Sequence, residues 1–294
     1  MVCAWSVKYS LRWWIIGAAL CLLSGCSAVR LAYAQAPNMV YWWLNGYVDF
    51  DAEQGERARD AVADWFAWHR ATQLSDYASL LATAQQQILN DITPDDVCQW
   101  ADVLRKRIEV GYEQGVPAMA EMVRTLKPQQ LQRVERRYRK ADEEFRDDFL
   151  QPTRAEQLEE SNKRALSRAE LIYGELTEPQ RALLAQGVAE SPFDPERWLT
   201  ERQMRQREIV ETLRALQAQR ADAARTEAAL RLFAAHAARS PRAAYRDYQK
   251  RLFDHNCRLI SQLHNSTTPE QRRRGAERLK GWEDDLRTLA GQRR

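Results

Sequence analysis

Past residue 50 the apolar positions recur every three or four residues, with charged and amide side chains between them. Val97, Trp100, Leu104 and Ile108 step in this way, as do Leu131, Val134, Tyr138, Ala141, Phe145 and Phe149. Tyr245, Tyr248, Leu252, His255, Leu259 and Leu263 form a third series, and Leu279, Trp282, Leu286 and Leu289 a fourth. Each lays one apolar stripe along a helix whose other faces are polar, the pattern of helices packed in a bundle. No stretch sustains the period-two alternation of Val, Ile and Thr that a half-buried strand shows. The residues between the stripes are mostly Ala, Leu, Arg, Gln and Glu, all strong helix formers. The pattern predicts an all-α multi-helix bundle of about eight to ten helices.

The helix starts share a device. Thr93-Pro94-Asp95-Asp96 offers Thr as N-cap, Pro at the first helical position and an acid at the third. Thr268-Pro269-Glu270-Gln271 repeats it with Gln, Thr177-Glu178-Pro179-Gln180 is a variant, and Lys127-Pro128-Gln129-Gln130 lacks the Thr. Thr accepts from an orphan amide, Pro removes an amide that had no partner, and Gln or Asp reaches back to the cap. Asp51 with Gln54 marks the first such start. Breaks are expected at Gly111 to Pro117, near Pro152, at Ser191 to Pro195, and at Ser240-Pro241. The longest helix is then expected from about Pro195 to Ala238. Arg220 and Glu227 stand where a heptad seam would want apolar residues, which argues against a coiled coil there.

Residues 38–50 differ in kind. Tyr41, Trp42, Trp43, Tyr47 and Phe50 put five aromatics into thirteen positions, and Trp65, Phe66 and Trp68 follow on the next helix. Three readings are open: the core of the N-terminal half, contact with a membrane interface, where Trp and Tyr are favoured, or a groove for a partner.

The first 25 residues are not part of that body. Lys8 and Arg12 precede an apolar run from Trp13 to Leu23. At about ten residues it fits a signal peptide and is too short to span a bilayer. Leu23-Ser24-Gly25-Cys26 closes it in the order of a bacterial lipobox. The expectation is cleavage after Gly25, with a diacylglycerol and an N-acyl chain on Cys26. Several acyl chains together make a stable anchor. The remaining organisation is a lipidated, aromatic-rich segment at 26–50 and a helical body at 51–294, with a sub-boundary near 150–153.

Removing the leader also removes Cys3 and Cys21, so that only Cys98 and Cys257 remain beside the lipid site. In an oxidising compartment these two either form one long-range disulfide or stay as separate buried thiols. The mature chain carries 42 basic and 41 acidic residues. That balance gives no electrostatic case for nucleic acid.

The lipobox, the Tyr41-Trp42-Trp43 cluster with Asp49-Phe50-Asp51, and Trp65-Phe66-Ala67-Trp68-His69-Arg70 together resemble a proteobacterial lipoprotein family known as a domain of unknown function. The resemblance covers most of the mature chain and implies a helical envelope lipoprotein. It implies no catalytic residue. By resemblance to bacterial lipoproteins at large, Ser27 after the lipidated cysteine implies sorting to the outer membrane. Leu176-Thr177-Glu178-Pro179-Gln180 is also similar to the Leu-Thr-x-x-Gln motif of periplasmic helical chaperones of the Spy and CpxP type. Thr267-Thr268-Pro269-Glu270-Gln271 departs from that motif at its first position, and Leu126-Lys127-Pro128-Gln129-Gln130 at its second.

Reactive constellations are not legible. His255, Cys257 and His264 lie within ten residues, but ligands on one helix face would be three or four apart. His255 falls on an apolar stripe and reads as a core histidine. Asp64 and His69 are five apart, too far round a helix to pair. No Gly-x-Ser-x-Gly elbow, phosphate loop or dinucleotide fingerprint occurs. The charges of 133–148 read as a solvated face, with Glu135–Arg139 and Lys140–Glu144 as i,i+4 pairs. No catalytic residue, metal site or cofactor is expected beyond the lipid on Cys26. The expected role is non-catalytic: an outer-membrane-anchored lipoprotein whose body faces the periplasm and binds or scaffolds an envelope protein. The alternatives are a helical periplasmic chaperone or stress protein, and a hydrolase with an unrecognised site.

Overall fold

The computed structural model describes residues 28–292, and among them the chain forms eleven α-helices and no strand. The expected leader and Cys26 lie outside the described residues. The helices are α1 (Ala28–Val48), α2 (Ala52–Thr72), α3 (Leu74–Gln87), α4 (Pro94–Thr125), α5 (Pro128–Phe149) and α6 (Arg154–Tyr173). They continue with α7 (Glu178–Ala189), α8 (Pro195–Ala218), α9 (Ala223–Ala238), α10 (Ala243–Asn265) and α11 (Pro269–Gly291). Helix α3 lies along α11, while α4 is flanked by α9 and α10 and α5 by α8. None of these helices is long and apolar enough to cross a membrane.

The all-α class is as the sequence pattern predicts, but the described helices number eleven rather than eight to ten, and three stretches depart from the expected boundaries. The aromatic stretch is itself helical and forms the second half of α1. The run from Pro195 to Ala238 is two helices. Arg220 takes a left-handed φ of 48°, and the Ala221 amide reaches back to the Leu216 carbonyl at 3.0 Å. This is a Schellman-type end with arginine where glycine is usual. Asp222 then caps α9, accepting from the Arg225 amide at 2.8 Å.

The longest helix is α4, 32 residues, which runs straight through the break expected at Gly111 to Pro117. Gly111 is there for close approach. A Cβ on it would sit 3.2 Å from the Trp65 ring, and Trp65 Nε1 donates to its carbonyl at 2.8 Å. Pro117 removes only the amide that would bond the carbonyl of Glu113, an exposed residue.

The shared start motif goes beyond capping. In α2 and α5 the third-position glutamines, Gln54 and Gln130, face each other. Gln54 Nε2 donates to Gln130 Oε1 at 3.3 Å, and Gln130 Nε2 donates to Gln54 Oε1 at 2.6 Å. Each also accepts from its own cap amide, Asp51 at 3.2 Å and Lys127 at 2.8 Å. Each donates to the carbonyl two residues before the other helix's cap, Thr125 at 2.8 Å and Asp49 at 3.1 Å. The same figure recurs between α7 and α11. Gln180 and Gln271 exchange amide bonds of 2.8 and 2.9 Å, accept from Thr177 and Thr268, and donate to the carbonyls of Ser266 and Glu175. All four glutamines are buried. Two reciprocal clasps thus tie helix starts that are far apart in sequence. Beside the first lies a core of Leu131, Leu213, Leu216 and Ala221 with Leu126 against it, and beside the second one of Ala169, Leu176, Leu184 and Leu263.

Three further features hold the elements in place. Cys98 of α4 and Cys257 of α10, 159 positions apart in sequence, are joined by a disulfide with Cα atoms 5.6 Å apart. Such bonds persist outside the cytoplasm, and this one is consistent with an extracytoplasmic body. Glu201 of α8, 3% exposed, accepts from Arg242 at 2.6 and 2.9 Å and from Ser240 at 2.7 Å, anchoring the break before α10. Burial pushes its carboxyl up, but the Arg242 and Ser240 bonds prevail and its pKa lies below the ordinary value. The charged face of α5 makes pairs other than the expected ones: Arg214 of α8 meets Glu135 at 2.8 Å, and Arg137 meets Glu144 at 3.1 Å. Packing of α5 against α8 brings Arg214 within reach of Glu135.

One stripe is covered only at its start: Val97 and Trp100 are half-buried, while Leu104 and Ile108 are 55% and 72% exposed.

Candidate functional site: an aromatic groove beside α1

Helix α1 sorts the aromatic cluster into three sets. Tyr33 and Tyr41 turn inward. Tyr41 is buried, stacks on Phe50 at 6.3 Å and carries the Arg59 guanidinium 4.2 Å above its ring. Tyr33 meets Phe66 edge-on at 5.7 Å, and its hydroxyl bonds His69 Nδ1 at 2.9 Å. Under it Trp65 stacks on His69 at 4.8 Å. Tyr41 is thus buried, and Phe50, Trp65, Phe66 and Trp68 are half-buried among these ring contacts. Trp42 points away from the body, 71% exposed. Trp43, 60% exposed, and Tyr47 turn sideways, 4.9 Å apart, toward α5.

There they open a groove of about 550 Å³. Its floor is a chain of rings. Tyr47 meets Tyr138 edge-on at 5.9 Å. Phe145 stacks between Phe149 at 4.6 Å and Trp198 at 4.5 Å, and Phe149 meets Phe193 at 6.1 Å. Arginines stand over the rings: Arg137 over Tyr47 at 5.3 Å, Arg164 over Phe149 at 4.4 Å, and Arg202 over Trp198 at 5.5 Å. Arg202 is held by the buried Asp142, Nε to Oδ1 3.1 Å. Four elements build the site: α1, α5, the loop before α8, and α8 itself.

The sequence reading named Trp43 and Tyr47 and placed Phe145 and Phe149 on a core stripe. It passed over Phe193 and Trp198. A signal for both was present. Phe193 precedes the N-cap Asp194, and Trp198 is the fourth helical residue, the spacing of a hydrophobic staple.

His69, His255 and His264 have structural partners. His255 Nε2 is 2.8 Å from the Gly187 carbonyl, as a core histidine would be. His264 is 2% exposed, with Nδ1 2.8 Å from the Tyr173 hydroxyl and Nε2 2.8 Å from the Asn90 carbonyl. Burial lowers the pKa of His69 and of His264, and raises that of Tyr173 to about 12. His264 is therefore the neutral tautomer that donates to Asn90 and accepts from Tyr173. Cys257 is taken by the disulfide. Among the described residues no three His, Cys, Asp or Glu side chains group so as to hold a metal ion.

Residues 46–232, well over half of the chain, match the model of the family of unknown function DUF6279, and the chain belongs to that family. No curated protein and no solved structure matches it.

Proposed function

We propose that this DUF6279 protein is an outer-membrane lipoprotein, anchored through Cys26, whose helical body in the periplasm binds an envelope protein in the groove beside α1. The observation that carries the reading is the composition of that groove. Trp, Tyr, Phe and Arg are the residues on which binding energy concentrates at protein interfaces, in a centre ringed by polar groups. Here Trp43, Tyr47, Phe149, Phe193 and Trp198 supply the apolar floor, and Arg137, Arg202, Glu144 and Asp148 supply the rim. The body around it is braced by two glutamine clasps and a disulfide, which suits a scaffold that presents a preformed surface. A non-catalytic role fits the way His69, His255 and His264 spend their hydrogen bonds on tyrosine hydroxyls and backbone carbonyls.

The test is in-cell photo-crosslinking with benzoylphenylalanine in place of Trp43, followed by purification through a C-terminal tag. One dominant envelope protein, lost when Phe193 and Trp198 are both changed to alanine, is the expected result. An unchanged crosslink in that double variant would remove the groove from the account. A broad spread of unrelated periplasmic proteins would favour a chaperone instead, and the exposed Leu104–Ile108 stripe is where such clients would bind.

A further inference from the structure

Helix α1 has a face that no other element covers. Leu31, Gln35, Met39, Trp42 and Gly46 follow one another at steps of three or four residues, and all five are exposed. Leu31, Met39 and Trp42 are 58%, 61% and 71% exposed. The tyrosines of the opposite side dock on α2 and α5, so this face is left outward by the packing itself. From Leu31 to Val48 the helix carries no charged side chain. An uncharged strip of exposed large apolar groups marks a contact surface rather than a solvated one. Around its docked side stand three arginines, Arg70, Arg59 and Arg137, over the rings of Tyr33, Tyr41 and Tyr47.

The occupant follows from where the helix begins. Ala28, its first residue, comes two residues after Cys26. Two residues span at most about 7 Å. A lipid on Cys26 therefore brings the start of α1 to the bilayer surface. We propose that the Leu31–Met39–Trp42 face of α1 lies in the headgroup region of the bilayer that holds the Cys26 lipid, with phospholipid as its occupant; this rests on the anchoring reading above. Trp is favoured at that depth because one part of the indole is apolar and its N–H can stay hydrated. Leu and Met fill the acyl boundary below, as in helices that lie in the membrane plane. The acyl anchor alone leaves the body free to swing. A second contact along α1, a helix about 30 Å long, fixes which side of the body meets the membrane. The groove beside Trp43 then opens along the membrane surface, toward partners held in the same bilayer.

The test uses the full chain in intact cells, with benzoylphenylalanine at position 39 or 42, and at the equally exposed position 108 of α4 for comparison. Mass analysis of the N-terminal peptide from the same sample reports whether Cys26 carries lipid. Phospholipid adducts at 39 and 42, none at 108, and loss of the adduct from position 31 in a Met39→Glu/Trp42→Glu variant are the expected results. That variant replaces only exposed side chains, and an unchanged melting temperature shows that the fold is intact. A single protein adduct at 39 and 42, or no adduct, on a chain whose Cys26 is lipidated overturns the proposal. Phospholipid adducts on a chain without lipid at Cys26 would overturn the anchoring reading and leave the α1 contact standing.

Discussion

His264 is neutral in the fold because its two ring nitrogens are committed to opposite roles, one donating to Asn90 and one accepting from Tyr173. Protonation would turn the acceptor into a donor facing a hydroxyl. Its pKa lies below 6.5 in the folded protein, as does that of His69, both through burial. A depressed pKa adds stability above the unfolded value, which is lost as the pH falls through the folded one. Stability against urea is therefore expected to decline as the pH drops below about 6.5, before the carboxylates titrate. His264→Gln keeps the donor to Asn90 and should flatten that decline; a decline of unchanged depth would show that His264 does not carry it. Arg220 is a second position where one residue decides. It holds a left-handed φ that costs a residue with a Cβ about 1–2 kcal/mol. Arg220→Gly is expected to stabilise by about 1 kcal/mol in chemical denaturation, and a loss of stability would contradict the reading of that cap.

The clasps belong to the scale of elements, where their energy is shared between helices. Gln130→Ala leaves the Lys127 amide, the Asp49 carbonyl and part of the Gln54 amide without their partner. A cost of about 2 kcal/mol is expected from those partly buried groups. Gln54→Ala added to it should cost less than it does alone, because the two bonds between the glutamines are already lost and only the Asp51 amide and the Thr125 carbonyl are newly left without their partner. A double-mutant cycle should give a coupling of about 1–2 kcal/mol, and additive losses would mean that the two glutamines act only as separate caps. Glu201→Gln removes the buried charge that Arg242 faces and leaves Glu208 as the carboxylate partner of that guanidinium; a cost of about 2 kcal/mol is expected, seen as a lower denaturation midpoint. Caps, stripes and most breaks were legible in the sequence because each is a local signal of four or five residues. The pairing of Gln54 with Gln130 and of Gln180 with Gln271 was not, since it needs two helix starts brought together across 76 and 91 residues. The break at Arg220 was hidden for another reason: no Gly or Pro marks it. Gly111 and Pro117, which do look like a break, are absorbed by the Trp65 contact and by solvent. Leu104 and Ile108 repeat at helical spacing, but spacing alone does not say which side of a helix finds a neighbour.

For the whole molecule, the disulfide is the longest-range constraint. Closing a loop of that length is worth about 5 kcal/mol in the chain-entropy account, with measured values of about 2–5 kcal/mol. Replacing Cys98 and Cys257 together by serine should lower the melting temperature measurably, and an unchanged value would mean that the bond adds nothing to the fold. The aromatic cluster was legible as a feature and ambiguous in meaning, because a sequence does not show which way a helix faces. The fold divides it: Tyr41 and Phe50 inward, Trp43 and Tyr47 into a groove, Trp42 outward. If Cys26 ties this body to a membrane, alkaline carbonate extraction of envelopes will separate the anchored chain from one held only by α1. The lipidated chain is expected to stay in the pellet after extraction, and the Cys26→Ala chain to be released, since a contact through α1 alone is peripheral and yields to the wash. Retention of the Cys26→Ala chain in the washed pellet would contradict the account.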